Sequence, residues 1–594
     1  MALDEHANLV AMFFSQAKRL GDRPFLWERQ DGAYRATTWA EAADAVTALA
    51  AALQAYGLSP RDRVALLSPN TPRWAIADFA IMAAGGVTVP VYTTNTAANH
   101  EHVISDSGAT MAIVATAALA RPFLEGARKS PLRRVVAMEP FDGIESGRIA
   151  VTPWEAALAE GRSRSDRITT AAERIDRNAL ACLIYTSGTG GAPKGVMLSH
   201  RAIMTNCQGA IDLLAELGLG DETFLSFLPL SHAYEHTAGL MFPVSIGAQI
   251  YFAERADTLS TNLGEARPTI MTAVPRLYEI LCERISHEVR RQGGLKARLF
   301  WKAVELGRKK YEHPGTMGIW DGFVDRIVDR LVRDKIRARF GGRLKALVSG
   351  GAPLNYEVGV FFVALGLRLL QGYGQTEAAP VITCNPCMRV KLRTVGPPLT
   401  GVELRIADDG EILVRGPLLM DGYWKLPKLS AEVLRDGWLH TGDIGVVDHD
   451  GYLQITDRKK DIIVTSAGDT LSPQRIEGIL ALEPEIDVAA VFGDNRPHLV
   501  AIVVPAMTFV TAWAKERKVA PDLAAFHDDK DFRDAIGRAV DRANANLSPT
   551  ERIKRFIVAD QAFAIDNGMM TPTMKPRRNE IVRRWGAALE ALYR

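Results

Sequence analysis

The 594-residue chain predicts an α/β fold: a large N-terminal domain of layered α/β subdomains plus a small β-rich subdomain, followed by a small C-terminal α/β domain. Three observations carry that expectation. Apolar runs at 63–67, 88–91, 111–115 and 134–138 alternate with helical patterns, as parallel strands and crossover helices do. From Gly396 to Val447 the pattern becomes short alternating strands between turns such as Ala407-Asp-Asp-Gly-Glu411 and Arg435-Asp-Gly-Trp438. The length also exceeds what one hydrophobic core organises, so at least one further domain is required.

Taken in order, Leu9 to Leu20 reads as a helix and Phe25 to Thr38 as a strand pair. Thr38 with Glu41 three residues on is the capping box of a long Ala-rich helix. Two apolar stretches fall short of a membrane span and are expected in the core: Trp74 to Tyr92, broken by Asp78 and a Gly-Gly pair, and Gly239 to Ala253, which holds Gln249. In such layers the ligand loops belong at strand ends.

The most chemically pointed stretch is Ile184-Tyr-Thr-Ser-Gly-Thr-Gly-Gly-Ala-Pro-Lys-Gly-Val-Met-Leu-Ser-His200. A strand through Leu183 and Ile184 would feed a loop and then a helix. Glycines in the loop let backbone N–H groups converge on an anion, Thr186, Ser187 and Thr189 add hydroxyl donors, and Lys194 adds charge. It is not a Walker A loop, because Pro193 precedes the lysine and Gly195 follows it. A polar surface linker shares this composition, but the apolar flanks argue against one.

This stretch closely resembles the signature loop Y-T-S-G-T-[TG]-G-x-P-K-G-V of the adenylate-forming (AMP-binding) superfamily, which includes the acyl-CoA synthetases. There it holds the triphosphate of ATP, so the resemblance assigns that role to Thr186, Ser187, Gly188, Thr189, Gly190, Gly191 and Lys194. Gly190 stands where many members carry threonine, leaving backbone to serve.

The resemblance continues through the chain in the family's order. Leu228-Pro-Leu-Ser-His232 is similar to the segment bordering the acyl carboxylate and the pantetheine exit, which makes His232 a catalytic candidate; a lone histidine beside apolar residues would otherwise read as a packed group. Val274-Pro-Arg-Leu-Tyr-Glu279 looks typical of long-chain fatty acyl-CoA synthetases. Ser349-Gly-Gly-Ala-Pro353 and Gly372-Tyr-Gly-Gln-Thr-Glu377 resemble the family's adenine sandwich, which implies adenine contacts for Gly351, Ala352 and Tyr373. The same motif implies an α-phosphate contact for Thr376 and Mg²⁺ binding for Glu377. Asp443 in Thr441-Gly-Asp443, with Arg458, matches the ribose contacts.

The family's hinge falls at Lys460, which divides the chain into an adenylation domain, 1–459, and a mobile C-terminal domain, 460–594. Ala467 and Gly468 match the loop lining the coenzyme A channel, with alanine where glycine is usual. In Asn567-Gly-Met-Met-Thr-Pro-Thr-Met-Lys-Pro-Arg577, Lys575 resembles the adenylation lysine.

What the resemblance implies is a long-chain fatty acid–CoA ligase that converts fatty acid, ATP and CoA to acyl-CoA, AMP and diphosphate through acyl-AMP. Two alternatives share its first step or its fold: a fatty acyl-AMP ligase that delivers to a carrier protein, and an inactive acyl-adenylate-binding regulator. Retention of Lys194, Glu377, Asp443, Arg458 and Lys575 speaks against the second.

A net charge of +2 gives no nucleic-acid signal. Five cysteines, an odd number in which Cys384-Asn-Pro-Cys387 has no second pair at ligand spacing to join it, suit a reducing compartment, so the expected location is cytoplasmic; the opening residues show no basic segment before an apolar core, so no secretory signal is expected. Between Glu283 and Lys345, seventeen Lys or Arg stand against eight Asp or Glu, a local +9. Val324, Val328, Val332, Ile336 and Phe340 recur every four residues there, with arginines opposite. The helix they define is either core-packed with a solvated basic face or a platform for peripheral membrane contact, CoA phosphates or a second subunit in a homodimer.

Overall fold

The computed structural model describes residues 3–144, 146–186, 192–255, 258–459, 462–466, 469–564, 566–570 and 576–594. The chain forms two compact units. One comprises Met1–Arg405, Leu413–His440 and Val447–Gln454; the other comprises Ile406–Ile412, Thr441–Val446 and Ile455–Arg594. The division passes through the strands of the expected β-rich stretch, which include Glu403–Ile406, Glu411–Arg415 and Trp438–Val447.

The larger unit is built on two eight-stranded sheets. In the first, the order is 381–384, 369–374, 346–349, 270–273, 223–226, 249–252, 24–30, 33–38. Its six inner strands, 369–374 to 24–30, pair in parallel and its two edge strands antiparallel. In the second, 63–67, 87–90, 111–114, 134–137 and 150–153 are parallel neighbours of the kind the apolar runs predict. The capping box forms as read: Thr38 accepts from the Glu41 N–H, and Glu41 reaches back to the cap N–H at 2.8 Å. Trp74 to Ala84 is buried throughout, as expected of a core helix. Within this core Asp78 and His236, both without solvent exposure, join at 2.9 Å. Among the described residues no helix is long and apolar enough to cross a membrane.

The basic helix differs from the single regular helix its spacing suggests. It runs as Ile319–Val328, a π-helical turn Asp329–Arg333, and Asp334–Arg339. A stripe recurring every four residues drifts by about 40° per step around a 3.6-residue helix. The wider π turn takes up that drift, and Val328, Val332, Ile336 and Phe340 all stay buried in one core cluster. Arg333 does not face solvent with the other arginines. It is buried, bonded to Asp325 at 2.7 Å and to the carbonyls of Ala364 and Ala303.

The smaller unit centres on strands Ile486–Phe492, Leu499–Pro505 and Ile553–Val558. Alternate residues of Leu499–Pro505 enter opposite cores, as a two-residue period requires. Ala501 and Val503 meet Phe532 and Ile536 of helix Lys530–Asn544. Val500, Ile502 and Val504 meet Ile581 and Trp585 of helix Arg578–Ala591.

Candidate functional site

Strands 223–226, 270–273, 346–349 and 369–374 are parallel neighbours, so their carboxyl ends open along one edge of the sheet. His232, Val274 and Gly350–Ala352 follow those ends, and Tyr373 lies at the end of its own strand just before Thr376 and Glu377, which gathers candidates from four separated stretches of chain. His232 caps a short helical turn, its Nδ1 accepting from the Tyr234 N–H at 3.2 Å. Two buried tyrosines brace the edge from beneath: the hydroxyls of Tyr234 and Tyr278 both donate to the Val348 carbonyl, at 3.1 and 3.3 Å.

The glycines here are dictated by space. A Cβ on Gly350 would lie 3.0 Å from the Tyr234 ring, and Gly351 has φ of +82°, a left-handed conformation costly for other residues. Ala352 and Tyr373 are half-buried beside them, and Thr376 is buried at the start of a 3₁₀ turn that carries Glu377.

The loop after Thr186 corrects the strand-loop-helix expectation. Leu180–Thr186 and Lys194–Ser199 form an antiparallel hairpin that sets Thr186 opposite Lys194, and helix His200–Leu214 begins only after Ser199 caps it. The cause is the alternation Val196, Leu198, which buries a strand face before any helical period begins. The hairpin is buttressed on both sides. Tyr185 donates to Asp106 at 2.6 Å, and strand Gly422–Tyr423 pairs with Val196 and Met197.

That pairing introduces Tyr423, a residue the sequence reading passed over. Its hydroxyl donates to Glu377 Oε1 at 2.8 Å, and its ring lies 5.3 Å beneath the Lys194 ammonium. The Met420 N–H also donates to the Glu377 carbonyl at 2.9 Å. Burial, and then the charge of Glu377, hold the Tyr423 phenol far above its ordinary range. An aromatic residue following Gly422 is the only trace of this in the sequence, and nothing local ties it to Glu377.

In the smaller unit, Arg458 Nε meets Asp443 Oδ1 at 3.0 Å, with the Asp443 side chain almost fully buried. Ser187, Gly188, Thr189, Gly190, Gly191, Lys460, Ala467, Gly468 and Lys575 lie outside the described residues. Among the described residues no group of three or more His, Cys, Asp or Glu side chains could hold a metal ion.

Behind the edge lies an apolar cavity. It is small, about 50 Å³, and Tyr234, Val348, Ala210, Leu214, Ala238 and Phe242 are among the residues lining it. Tyr234 therefore borders both the glycine turn and this pocket.

Comparison with known proteins fits this geometry. Residues 13–424 match the family described as AMP-binding enzyme, and 460–594 match the AMP-binding enzyme C-terminal domain. The chain belongs to the AMP-binding enzyme family. It is 34% identical to the long-chain-fatty-acid–CoA ligase FadD15 of Mycobacterium tuberculosis, over 99% of this chain and 97% of that protein. It is 29% identical to human long-chain-fatty-acid–CoA ligase 1, over 97% of this chain and 83% of that protein. The fold is shared with the A domain of carboxylic acid reductase from Segniliparus rugosus, solved with AMP and a co-purified carboxylic acid. That likeness has a TM-score of 0.77 and 21% identity, covering 99% of this chain and 94% of that one.

Glu235 is the second feature that the sequence reading of this AMP-binding enzyme missed. Fully buried between strands, it accepts from the hydroxyls of Ser226 and Thr272 at 2.7 and 2.8 Å, and a Cβ on Gly239 would strike its carboxyl group. Burial pushes its pKa up from 4.5 to about 7 against those hydrogen bonds. Between these values the folded chain keeps a proton that the unfolded chain has released, so its contribution to stability falls as pH rises from about 4.5 to about 7. Glu235→Gln has no such titration. Urea unfolding at paired pH values should show the wild type losing on the order of 3 kcal/mol relative to the variant across that window.

Proposed function

We propose that the chain is a long-chain fatty acid–CoA ligase acting in two steps. A fatty acid carboxylate oxygen attacks the α-phosphorus of ATP, and the bond to diphosphate breaks, giving acyl-AMP. The CoA sulfur then attacks the acyl carbon, the bond to AMP breaks, and the thiol proton passes to solvent. The observation that carries this reading is the convergence of His232, Gly350–Ala352 and Glu377 at the carboxyl edge of parallel strands, with Glu377 fixed by Tyr423, which suits a nucleotide and a carboxylate meeting at one rim. Full-length likeness to long-chain-fatty-acid–CoA ligases supports the substrate class.

On this reading the carboxylate is a weak nucleophile, so the protein acts by alignment and by offsetting charge on the phosphates. Thr186, Ser187, Gly188, Thr189, Gly190, Gly191 and Lys194 cradle the triphosphate. Gly351, Ala352 and Tyr373 flank the adenine, Thr376 binds the α-phosphate, and His232 borders the acyl carboxylate. Asp443 and Arg458 take the ribose; their ion pair holds the acceptor carboxylate in place.

Glu377 fits Mg²⁺: Tyr423 fixes one carboxylate oxygen, and among the described residues no hydrogen bond is made to the other, a hard donor that would suit the ion. A bound ion would neutralise charge on the phosphate oxygens. Lys575 supplies the second cation for adenylation. Rotation of 460–594 about Lys460 then exchanges it for the channel at Ala467 and Gly468, where CoA enters. All five cysteines are free thiols, which suits a cytoplasmic enzyme.

The central test is diphosphate release from ATP with palmitate-like acids, and none at all would overturn the reading. Lys575→Ala should abolish that release yet leave thioester formation from supplied acyl-AMP largely intact, whereas Lys460→Pro should spare adenylation and slow the thioester step. Tyr423→Phe removes one charge-assisted hydrogen bond. It should raise the Mg²⁺ concentration for half-maximal diphosphate release roughly tenfold, in keeping with a loss of about 1.5 kcal/mol or more.

A further inference from the structure

The outward side of the basic helix is not simply a row of arginines. Ile319 is 97% exposed, Trp320 73% and Phe323 56%, and Ile327 and Leu331 are exposed beyond them. At 100° per residue, Ile319, Phe323, Ile327 and Trp320 fall within an arc of about 100°, a continuous ridge opposite the buried Val328 and Val332. Trp320 and Phe323 pack ring against ring, their centroids 5.7 Å apart. Exposed Arg326 and Arg330 project along one flank of the ridge.

We propose that this ridge docks on an anionic lipid bilayer, its apolar side chains entering the boundary between headgroups and acyl chains while Arg326 and Arg330 meet lipid phosphates. The chemistry favours lipid over a protein partner on two grounds. A contiguous apolar face of Trp, Phe and Ile edged by arginine is what an interfacial helix needs, with the aromatic ring at headgroup depth. The region's excess of cationic side chains complements an anionic surface, and each basic group near such a surface strengthens attachment. The opposite face is locked into the core by Val328, Val332, Ile336 and Phe340, so the ridge is held ready rather than formed on contact. Its value to catalysis rests on the proposed ligase activity, since long-chain acids partition into bilayers; the docking itself does not.

The experiment is flotation of the full chain, without substrates, with vesicles of phosphatidylcholine containing phosphatidylglycerol and with phosphatidylcholine alone. Wild type should float with the anionic vesicles. Trp320→Glu combined with Phe323→Glu should lower the floating fraction about tenfold, and Arg326→Glu with Arg330→Glu should do so on anionic vesicles. Both variants should keep wild-type diphosphate release with a soluble short-chain acid. Equal flotation of wild type and variants would overturn the proposal. So would a wild type that ignores vesicles but sediments as a dimer that the double glutamate variant splits, which would assign the ridge to a second copy of the chain. Because flotation is scored without turnover, loss of the ligase reading would leave this result standing.

Discussion

Parallel pairing is the constraint on which the site depends. Strands 223–226, 270–273, 346–349 and 369–374 run the same way, so each must be left at the same edge, and the chain must return by a crossover before the next begins. His232 and Tyr373 are thus brought to one rim by backbone hydrogen bonding rather than by any attraction between them. The Val348 carbonyl, held by two tyrosine hydroxyls, shows how firmly that rim is braced.

The second sheet contributes by a different route. Its antiparallel hairpin carries Lys194, and the short strand beside it carries Tyr423, which reaches Glu377 across the unit. A neutral phenol between an anion and a cation satisfies part of each without joining them directly. On the proposed roles this matters, because a direct Lys–Glu pair would occupy the groups that phosphates and a cation must engage.

The basic region shows one helix serving two environments. Its four-residue stripe is incompatible with a regular α-helix along its whole length, and the π turn at Asp329–Arg333 reconciles the two. That adjustment accompanies a buried Arg333 whose guanidinium meets Asp325 and two carbonyls, a cost in desolvation offset by full pairing. The face left outside carries Trp320 and Phe323, which the pattern of valines and arginines did not signal.

Local physics was legible without the fold. The capping box at Thr38 and Glu41, the parallel-strand runs from 63 to 137 and the burial of Trp74 to Ala84 all depend on neighbours within a few turns of chain, and they stand as read. What only the tertiary structure decided was which distant groups meet. The pairing of Lys194–Ser199 with Leu180–Thr186, the grip of Tyr423 on Glu377, the burial of Glu235 and the exposure of Trp320 each depend on partners from remote stretches of sequence. Periodicity and capping are properties of a segment, whereas contact and desolvation are properties of the packed whole.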